Sequence, residues 1–114
     1  MNSVSEKFGH VRIADNVIAC IAGLAATDVK GVVHLYGGIK HDEVTKVATQ
    51  VLERPVRIAI HDGQIEVKIA ISVNATFPMP EVTKKVQEKV KSSIEMMTGN
   101  EVRSVDVTVA EVLL

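Results

Sequence analysis

Two alternating runs on either side of Asp62-Gly63 constrain the fold of this chain more than any other feature of its sequence. After this dipeptide, apolar side chains recur at every second position: Ile65, Val67, Ile69, Ile71 and Val73. Before it, Val56-Arg57-Ile58-Ala59-Ile60 alternates in the same way. Such alternation is typical of a strand with one buried face, and Asp-Gly accepts the positive φ angles of a tight turn. The two runs therefore predict a β-hairpin.

Three further segments have the apolar spacing of helices. The first begins at Asp15, interpreted as its capping residue, and runs to about Asp28. A short amphipathic helix, capped by Asp42, is predicted within residues 40–52. A longer helix has Pro80 in its first turn and stops at Gly99. Its predicted buried stripe consists of Val82, Val86, Val90, Ile94 and Met97.

Two more strands complete the prediction. Val32-Val33-His34-Leu35 is rich in β-branched residues and is followed by a Gly37-Gly38 turn. The last strand covers residues 101–109 or beyond and sends Val105, Val107 and Val109 to one face. Val11-Arg12-Ile13 is either a short first strand or an extended lead-in, and residues 1–8 are expected to form a flexible tail.

Helices with one apolar stripe and strands with one apolar face predict an α+β fold. We expect a two-layer α/β sandwich, with helices packed on one face of a mixed, mainly antiparallel sheet. The strands before and after the long helix should be parallel and joined by a right-handed crossover. The 114 residues are interpreted as a single domain.

The net charge and the number of cysteines indicate which classes of function and which cellular compartment fit this sequence. Thirteen basic and fourteen acidic side chains leave a formal charge of −1, so no overall field attracts nucleic acid. The solvent face of the sheet is predicted to carry no aromatic residue on which bases could stack. Cys20 is the only cysteine, which fits a reducing compartment. With no apolar leader and no apolar run near 18 residues, a cytoplasmic location without direct membrane insertion is expected.

A search for catalytic chemistry finds no recognisable arrangement. The four histidines, at positions 10, 34, 41 and 61, lack the spacing that aims two imidazoles at one metal ion. Ser92-Ser93 lies within a predicted helix, and Gly37-Gly38 is too short to cradle a phosphate. We expect no catalytic, cofactor-binding or metal-binding residue. The alternative, a small enzyme, would need a pocket that gathers His34 and His61 with Glu66 or Asp106.

A contact surface is the better candidate for a functional site. One part is the stripe of the predicted second helix, interpreted as core or contact surface: Val44, Val47 and Val51. The other part is the polar face of the sheet: Arg57, Glu66, Lys68, Ser72, Asp106 and Thr108.

Four short blocks of the sequence form a recognisable series: Ala25-Ala26-Thr27-Asp28-Val29-Lys30-Gly31-Val32, Pro80-Glu81-Val82, Ile94-Glu95-Met96-Met97-Thr98-Gly99 and Val105-Asp106-Val107-Thr108-Val109. In this order they resemble the alkaline shock, or envelope stress response, family of bacterial proteins. The resemblance extends from about Gly9 to Val109 and departs in residues 40–52 and at Thr76-Phe77.

The resemblance implies a cytoplasmic protein of mainly Gram-positive bacteria, linked to cell-envelope homeostasis and without known catalytic residues. It also implies protein partners, including a small membrane-protein anchor that would hold the chain at the membrane, and self-association into a homo-oligomer. The leading hypothesis is accordingly an interaction or scaffold protein. A regulatory module acting on nucleic acid, or on a nucleic-acid-binding partner, is the alternative.

Overall fold

A computed structural model describes residues 13–114 of the chain. The predictions for residues 1–8, and for Val11 and Arg12 as part of a first strand, lie outside the described residues, and Ile13 precedes the first helix without strand structure. The elements, in chain order, are α1 (Asp15–Thr27), β1 (Val32–Leu35), a 3₁₀ turn (His41–Glu43), α2 (Thr49–Leu52), β2 (Val56–His61), β3 (Gln64–Asn74), α3 (Met79–Thr98) and β4 (Val102–Leu113).

Strand β3 is the centre of a four-stranded sheet. β4 pairs with it in parallel along one edge, from Ile65↔Val102 to Asn74↔Leu113. β2 and β1 both pair with β3 in the antiparallel direction, β2 with its first half and β1 with its second half. The predicted α+β fold with a mixed, mainly antiparallel sheet is thereby confirmed.

The hairpin has the predicted turn. Asp62 and Gly63 have φ angles of 50° and 78°, and the flanking residues pair from His61↔Gln64 to Val56↔Ile69. The alternating apolar residues of β3 are all buried, and they contribute to one core with α1 and α3. Within residues 13–114, the sheet therefore has one face covered by helices and one face that no helix covers.

The stripe of α3 is confirmed for four of its five residues, since Val82, Val86, Val90 and Ile94 are buried. Met97 is 67% exposed, so that part of the prediction is wrong. Thr98 is buried instead, and its hydroxyl donates to the carbonyl of Ile94 over 2.7 Å. The reason is geometric: positions four apart keep the stripe on one side of this helix, and Thr98 follows Ile94 by four residues.

Two further predictions about the helices are also wrong. Asp15 is the first residue of α1 and does not cap it, since Ala14 stands at the capping position without a side-chain hydrogen bond. Residues 40–52 do not form one amphipathic helix but a 3₁₀ turn and the four-residue α2.

Packing against α1 explains the broken segment. A β-carbon placed on Gly23 would lie 3.1 Å from the side chain of Val44 and 3.7 Å from that of Leu52. In a continuous helix, eight residues would separate these two side chains by about 12 Å along the axis. The chain folds back between them, which lets both reach the same site on α1.

A bulge in β4 changes its pattern near the end. Ile71 pairs with Val109, but the next residue of β3, Ser72, pairs with Glu111. Ala110 is the extra residue, and after it the two faces of β4 exchange odd and even positions. Glu111 consequently lies on the side of the sheet that the helices leave uncovered.

Candidate functional site

The uncovered side of the sheet, called the open face below, carries most of the predicted contact residues. It is defined by Arg57, Glu66, Lys68, Asp106 and Thr108, which alternate with the buried residues of β2, β3 and β4. All five have side chains at least partly accessible to solvent. The structure thus brings together five of the six polar residues predicted from the sequence.

A row of three charges crosses the open face. Arg57 lies opposite Lys68 on the neighbouring strand, and Lys68 lies opposite Asp106 on the next. Like charges directly opposite each other destabilise a sheet. Among the ion pairs of residues 13–114, none involves Arg57 or Lys68. The fold therefore places two cations side by side, and neither forms an ion pair with a carboxylate of the described residues.

Arg103 and Glu66 form an ion pair on the open face. Arg103 Nη1 lies 3.4 Å from Glu66 Oε2, and the Glu66 side chain is only 30% exposed. Arg103 was not predicted as a contact residue, because it occupies the extra position where β4 shifts its register between Val102 and Ser104. Nothing in the alternating sequence pattern marks that shift.

Ser72 is a correction to the predicted surface, because it is fully buried. Its hydroxyl donates to the Glu111 carboxylate over 2.8 Å, and β1 and β4 flank it on both sides. The exposed member of this pair is Glu111. Glu111 was missed because it lies beyond residue 109, where the predicted strand pattern is no longer visible.

The valine stripe is not one surface. Val44 is fully buried in the core, so its prediction as a contact residue is wrong. Val47 is partly buried against the core, whereas Val51 is 46% exposed. The break between the 3₁₀ turn and α2 separates these side chains, so the stripe contributes Val51 and part of Val47 to the protein surface.

A depression of about 500 Å³ lies at one end of the open face and is lined by His34, Tyr36, Arg54 and Glu111, among others. Tyr36 is 49% exposed, and its backbone amide donates to the Ala70 carbonyl, next to β1. The expectation that this face carries no aromatic residue is therefore wrong by one residue. A single tyrosine offers one stacking position, fewer than the two or three bases that RNA-recognition sheets hold.

The residues required for the enzyme alternative do not converge. His34 pairs with Ser72 at one end of β3, and His61 pairs with Gln64 at the other. Eight residues of strand separate these positions by about 26 Å. Within residues 13–114, no group of three or more His, Cys, Asp or Glu side chains is placed to hold a metal ion. In the same part of the chain, no helix combines the length and apolarity needed to cross a membrane.

An ion pair connects α1 and α3 in the helical layer. Lys89 of α3 forms an ion pair with Asp28, which follows α1. The hydrogen bond and charge of Lys89 lower the pKa of the Asp28 carboxyl. This pair joins the end of α1 to the middle of α3 and lies on the opposite side of the protein from the open face.

Comparison with known proteins gives a family match over nearly the whole chain. The model of the alkaline shock protein family, described as having a cell envelope-related function, matches residues 3–114. The uncharacterized protein YloU of Bacillus subtilis is 32% identical over 108 residues, which cover 90% of this chain and 88% of YloU. YqhY of the same organism is 26% identical, covering 94% of this chain and 79% of YqhY. Spy1614 of Streptococcus pyogenes serotype M6 is 28% identical, covering 84% and 81%.

Among solved structures, a substituted MamM CTD (H264A-E289A-C267S) resembles the chain with a TM-score of 0.52. The similarity covers 83% of this chain and 92% of that chain at 15% sequence identity. At this identity the likeness concerns the fold, and it agrees with the α+β architecture described above.

Proposed function

Because this chain belongs to the alkaline shock protein family, which has a cell envelope-related function, we propose that it is a non-catalytic interaction protein whose open face binds a partner protein. The observation that carries this proposal is the row formed by Arg57, Lys68 and Asp106. The row opposes two cations and thereby costs folding stability. A partner that supplies acidic groups would neutralise both and make the arrangement favourable.

The rest of the open face supports a protein partner over nucleic acid. Acidic side chains of Glu66, Asp106 and Glu111 lie on the same face as the two cations. Phosphate backbones require a predominantly positive surface, whereas a mixed pattern matches the complementary charges of another protein. The Arg103–Glu66 and Ser72–Glu111 contacts hold their side chains in place, so less side-chain entropy is lost on binding.

The proposal includes a location as well as a contact. The chain acts in the cytoplasm, and a partner protein, not the chain itself, supplies proximity to the membrane. This part rests on the envelope-related function of the family. It predicts that the protein bound to the open face is recovered from the membrane fraction of the cell.

The variant Arg57→Glu tests the proposal, because it separates binding from folding. The change replaces a like-charge pair with an opposite-charge pair beside Lys68, so we expect an unfolding temperature equal to or slightly above that of the wild type. Binding of an acidic partner should be lost. The matched control is Lys84→Glu, an exposed lysine on α3 in the helical layer.

The binding readout is a photo-crosslinking amino acid placed at Ala59, an exposed residue of β2 that lies opposite Glu66 of the open face, with Lys85 on α3 as the control position. In cells of the native host, the Ala59 probe should give a protein adduct of defined mass that is absent with the Lys85 probe. Arg57→Glu should abolish that adduct and Lys84→Glu should not. An adduct that persists in Arg57→Glu, or the same products from both probe positions, would contradict the proposal.

A further inference from the structure

We propose that the outer edge of β4 pairs, in the antiparallel direction, with the same edge of a second copy of this chain, with Val107 on the two-fold axis. The outer edge of β4 is the edge turned away from β3. This surface is the backbone edge of β4, which adjoins the open face at Asp106 and Thr108, and the inference goes beyond the function proposed above. The pairing of the two β4 edges joins the four-stranded sheets of both copies into one continuous sheet.

The outer edge is open to a further strand. β4 pairs with β3 along its length, and no described strand pairs with its other side. The Val105 carbonyl accepts a hydrogen bond from Gln87 Nε2 of α3 over 3.2 Å, so it is directed away from β3. Backbone groups alternate in direction along a strand, which places those of Val107 and Val109 on the same outer side. A row of outward donors and acceptors therefore runs along the second half of β4.

Side chains of α3 bind the outer edge of β4 at Val102 and, through Gln87, at Val105. Lys91 Nζ donates to the Val102 carbonyl over 2.9 Å, and Glu95 accepts from the Val102 amide over 3.0 Å. For Val107 and Val109, no side chain within residues 13–114 makes such a bond to the outer backbone groups. Exposed, unprotected edges are where strands from other chains add.

The sequence of β4 is nearly self-complementary about Val107. In an antiparallel pair centred there, each residue opposes one at the same distance on the other side of the centre. The opposed pairs are Val105 with Val109, Asp106 with Thr108, Arg103 with Glu111 and Val102 with Val112. Valines thus face valines on the side of the helices, and Arg103 faces a carboxylate of opposite charge.

Antiparallel pairs centred one residue earlier or later do not match both the charges and the faces of the two strands. A pair centred on Asp106 places two carboxylates directly opposite each other, which destabilises the contact. A pair centred on Thr108 opposes Val105 with Glu111, which lie on different faces of the sheet because of the extra residue Ala110. The Val107 register is the one in which charges and faces both match.

The Gln87 side chain does not prevent the pairing. It is exposed, and a carbonyl oxygen has two lone pairs, so Gln87 can remain bound to Val105 or move aside. Because the two-fold axis is perpendicular to the joined sheet, both open faces lie on the same side. The dimer would present two copies of the Arg57 and Lys68 pair to one surface.

Disulfide trapping tests the register in purified protein. In a Cys20→Ser background, Val107→Cys places one cysteine opposite its own copy, at a separation a disulfide can span. We expect rapid formation of a covalent dimer under mild oxidation. Asp106→Cys and Thr108→Cys should cross-link when mixed and much less when each is alone. The control is Ala59→Cys on β2, which is exposed and should stay monomeric.

A proline tests the backbone contact. Val107→Pro removes an amide that faces away from β3, so the intrachain sheet retains its bonds. Two hydrogen bonds of the dimer are lost, one from each copy, which should raise the dimer dissociation constant about thirtyfold. Analytical ultracentrifugation measures this constant, and circular dichroism confirms that the variant is folded.

Three results would overturn the inference: a wild-type protein that stays monomeric at millimolar concentration, a dimer unaffected by Val107→Pro, or Ala59→Cys cross-linking as fast as Val107→Cys. Should Val107→Pro fail to fold, the cysteine series still decides the question. These experiments use the isolated chain, so their failure would leave partner binding by the open face intact. Loss of the Ala59 photo-adduct would, in turn, leave the dimer intact.

Discussion

The side-chain carboxylate of Glu95 accepts a hydrogen bond from the backbone amide of Val102 over 3.0 Å. Lys91 completes the link, since its ammonium group contacts the same carboxylate oxygen over 2.8 Å and donates to the Val102 carbonyl. The end of α3 is in this way fastened to the start of β4. Helix and strand are held at the angle that brings β4 alongside β3.

The stability of this link should depend on pH. The hydrogen bond from Lys91, and then that from the Val102 amide, lower the pKa of Glu95 in the folded protein. A carboxyl whose pKa is lowered by folding stabilises the fold above its unfolded pKa of about 4.3, and this contribution is lost as the pH falls through the folded value. Glu95→Gln should therefore flatten the dependence of unfolding free energy on pH in the acidic range.

Urea unfolding between pH 7 and pH 3 measures this dependence. Glu88→Gln is the matched control, because Glu88 lies on the same helix and forms no ion pair with the described residues. Identical pH profiles for Glu95→Gln and the wild type would show that the Glu95 link does not contribute.

Gly31 has a second constraint besides its φ angle of +103°. A β-carbon there would lie 2.9 Å from Val82 Cγ2 and 3.0 Å from Phe77 Cγ. Gly31→Ala should reduce the unfolding free energy by about 2–4 kcal/mol, from backbone strain and overpacking together.

The control for this variant is Gly37→Ala. Gly37 has a similar φ angle of +95° but nothing within 4 Å of a β-carbon, so only backbone strain of about 1–2 kcal/mol is expected. Chemical denaturation of both variants gives the comparison. Equal losses would mean that the contact with α3 is unimportant.

The buried hydroxyl of Ser72 should contribute to stability through Glu111. Ser72→Ala removes its hydrogen bond and leaves the carboxylate one partner short, with an expected loss of about 1–2 kcal/mol. Thr108→Ala, on the same face but more accessible to solvent, should change stability by less than about 0.5 kcal/mol. Thermal unfolding monitored by circular dichroism compares the two, and a neutral Ser72→Ala would contradict the structural role assigned here.

The broken valine stripe gives another pair of variants. Val44→Ala empties space against Gly23 in the core and should cost about 2 kcal/mol, whereas Val51→Ala at the surface should cost less than about 0.5 kcal/mol. Urea unfolding midpoints test this difference. Similar effects for both valines would indicate that residues 40–52 pack differently from the structure described.

The hairpin was predictable because its signals are local. Asp62-Gly63 specifies the turn, and alternation along β3 specifies which side chains are buried. The end of α3 at Gly99, which has a φ angle of +73°, was predictable for the same reason. Each of these features depends on residues within a few positions of one another.

The errors arise where distant residues decide the outcome. The burial of Ser72 depends on Glu111, and Glu111 reaches the open face only because Ala110 is inserted into β4. Residues 44–52 do not form one continuous helix, because the side chains of both Val44 and Leu52 pack on Gly23. No single-sequence period encodes these contacts. The pattern therefore placed the charged residues of β2 and β3 on the uncovered face of the sheet, but it missed Arg103 and Glu111 of β4.

The parallel pairing of β3 with β4 also governs how quickly the chain can acquire its structure. β2 and β3 are joined by a two-residue turn, so their pairing is local in the sequence. The residues paired between β3 and β4, such as Ile65 and Val102, are instead separated in the sequence by the whole of α3. Closing a loop of that length costs more chain entropy before any contact is gained, and such pairings slow folding. We therefore expect the pairing of β4 with β3 to limit the folding rate, so substitutions in the α3–β4 connection should change that rate more than substitutions in the hairpin turn.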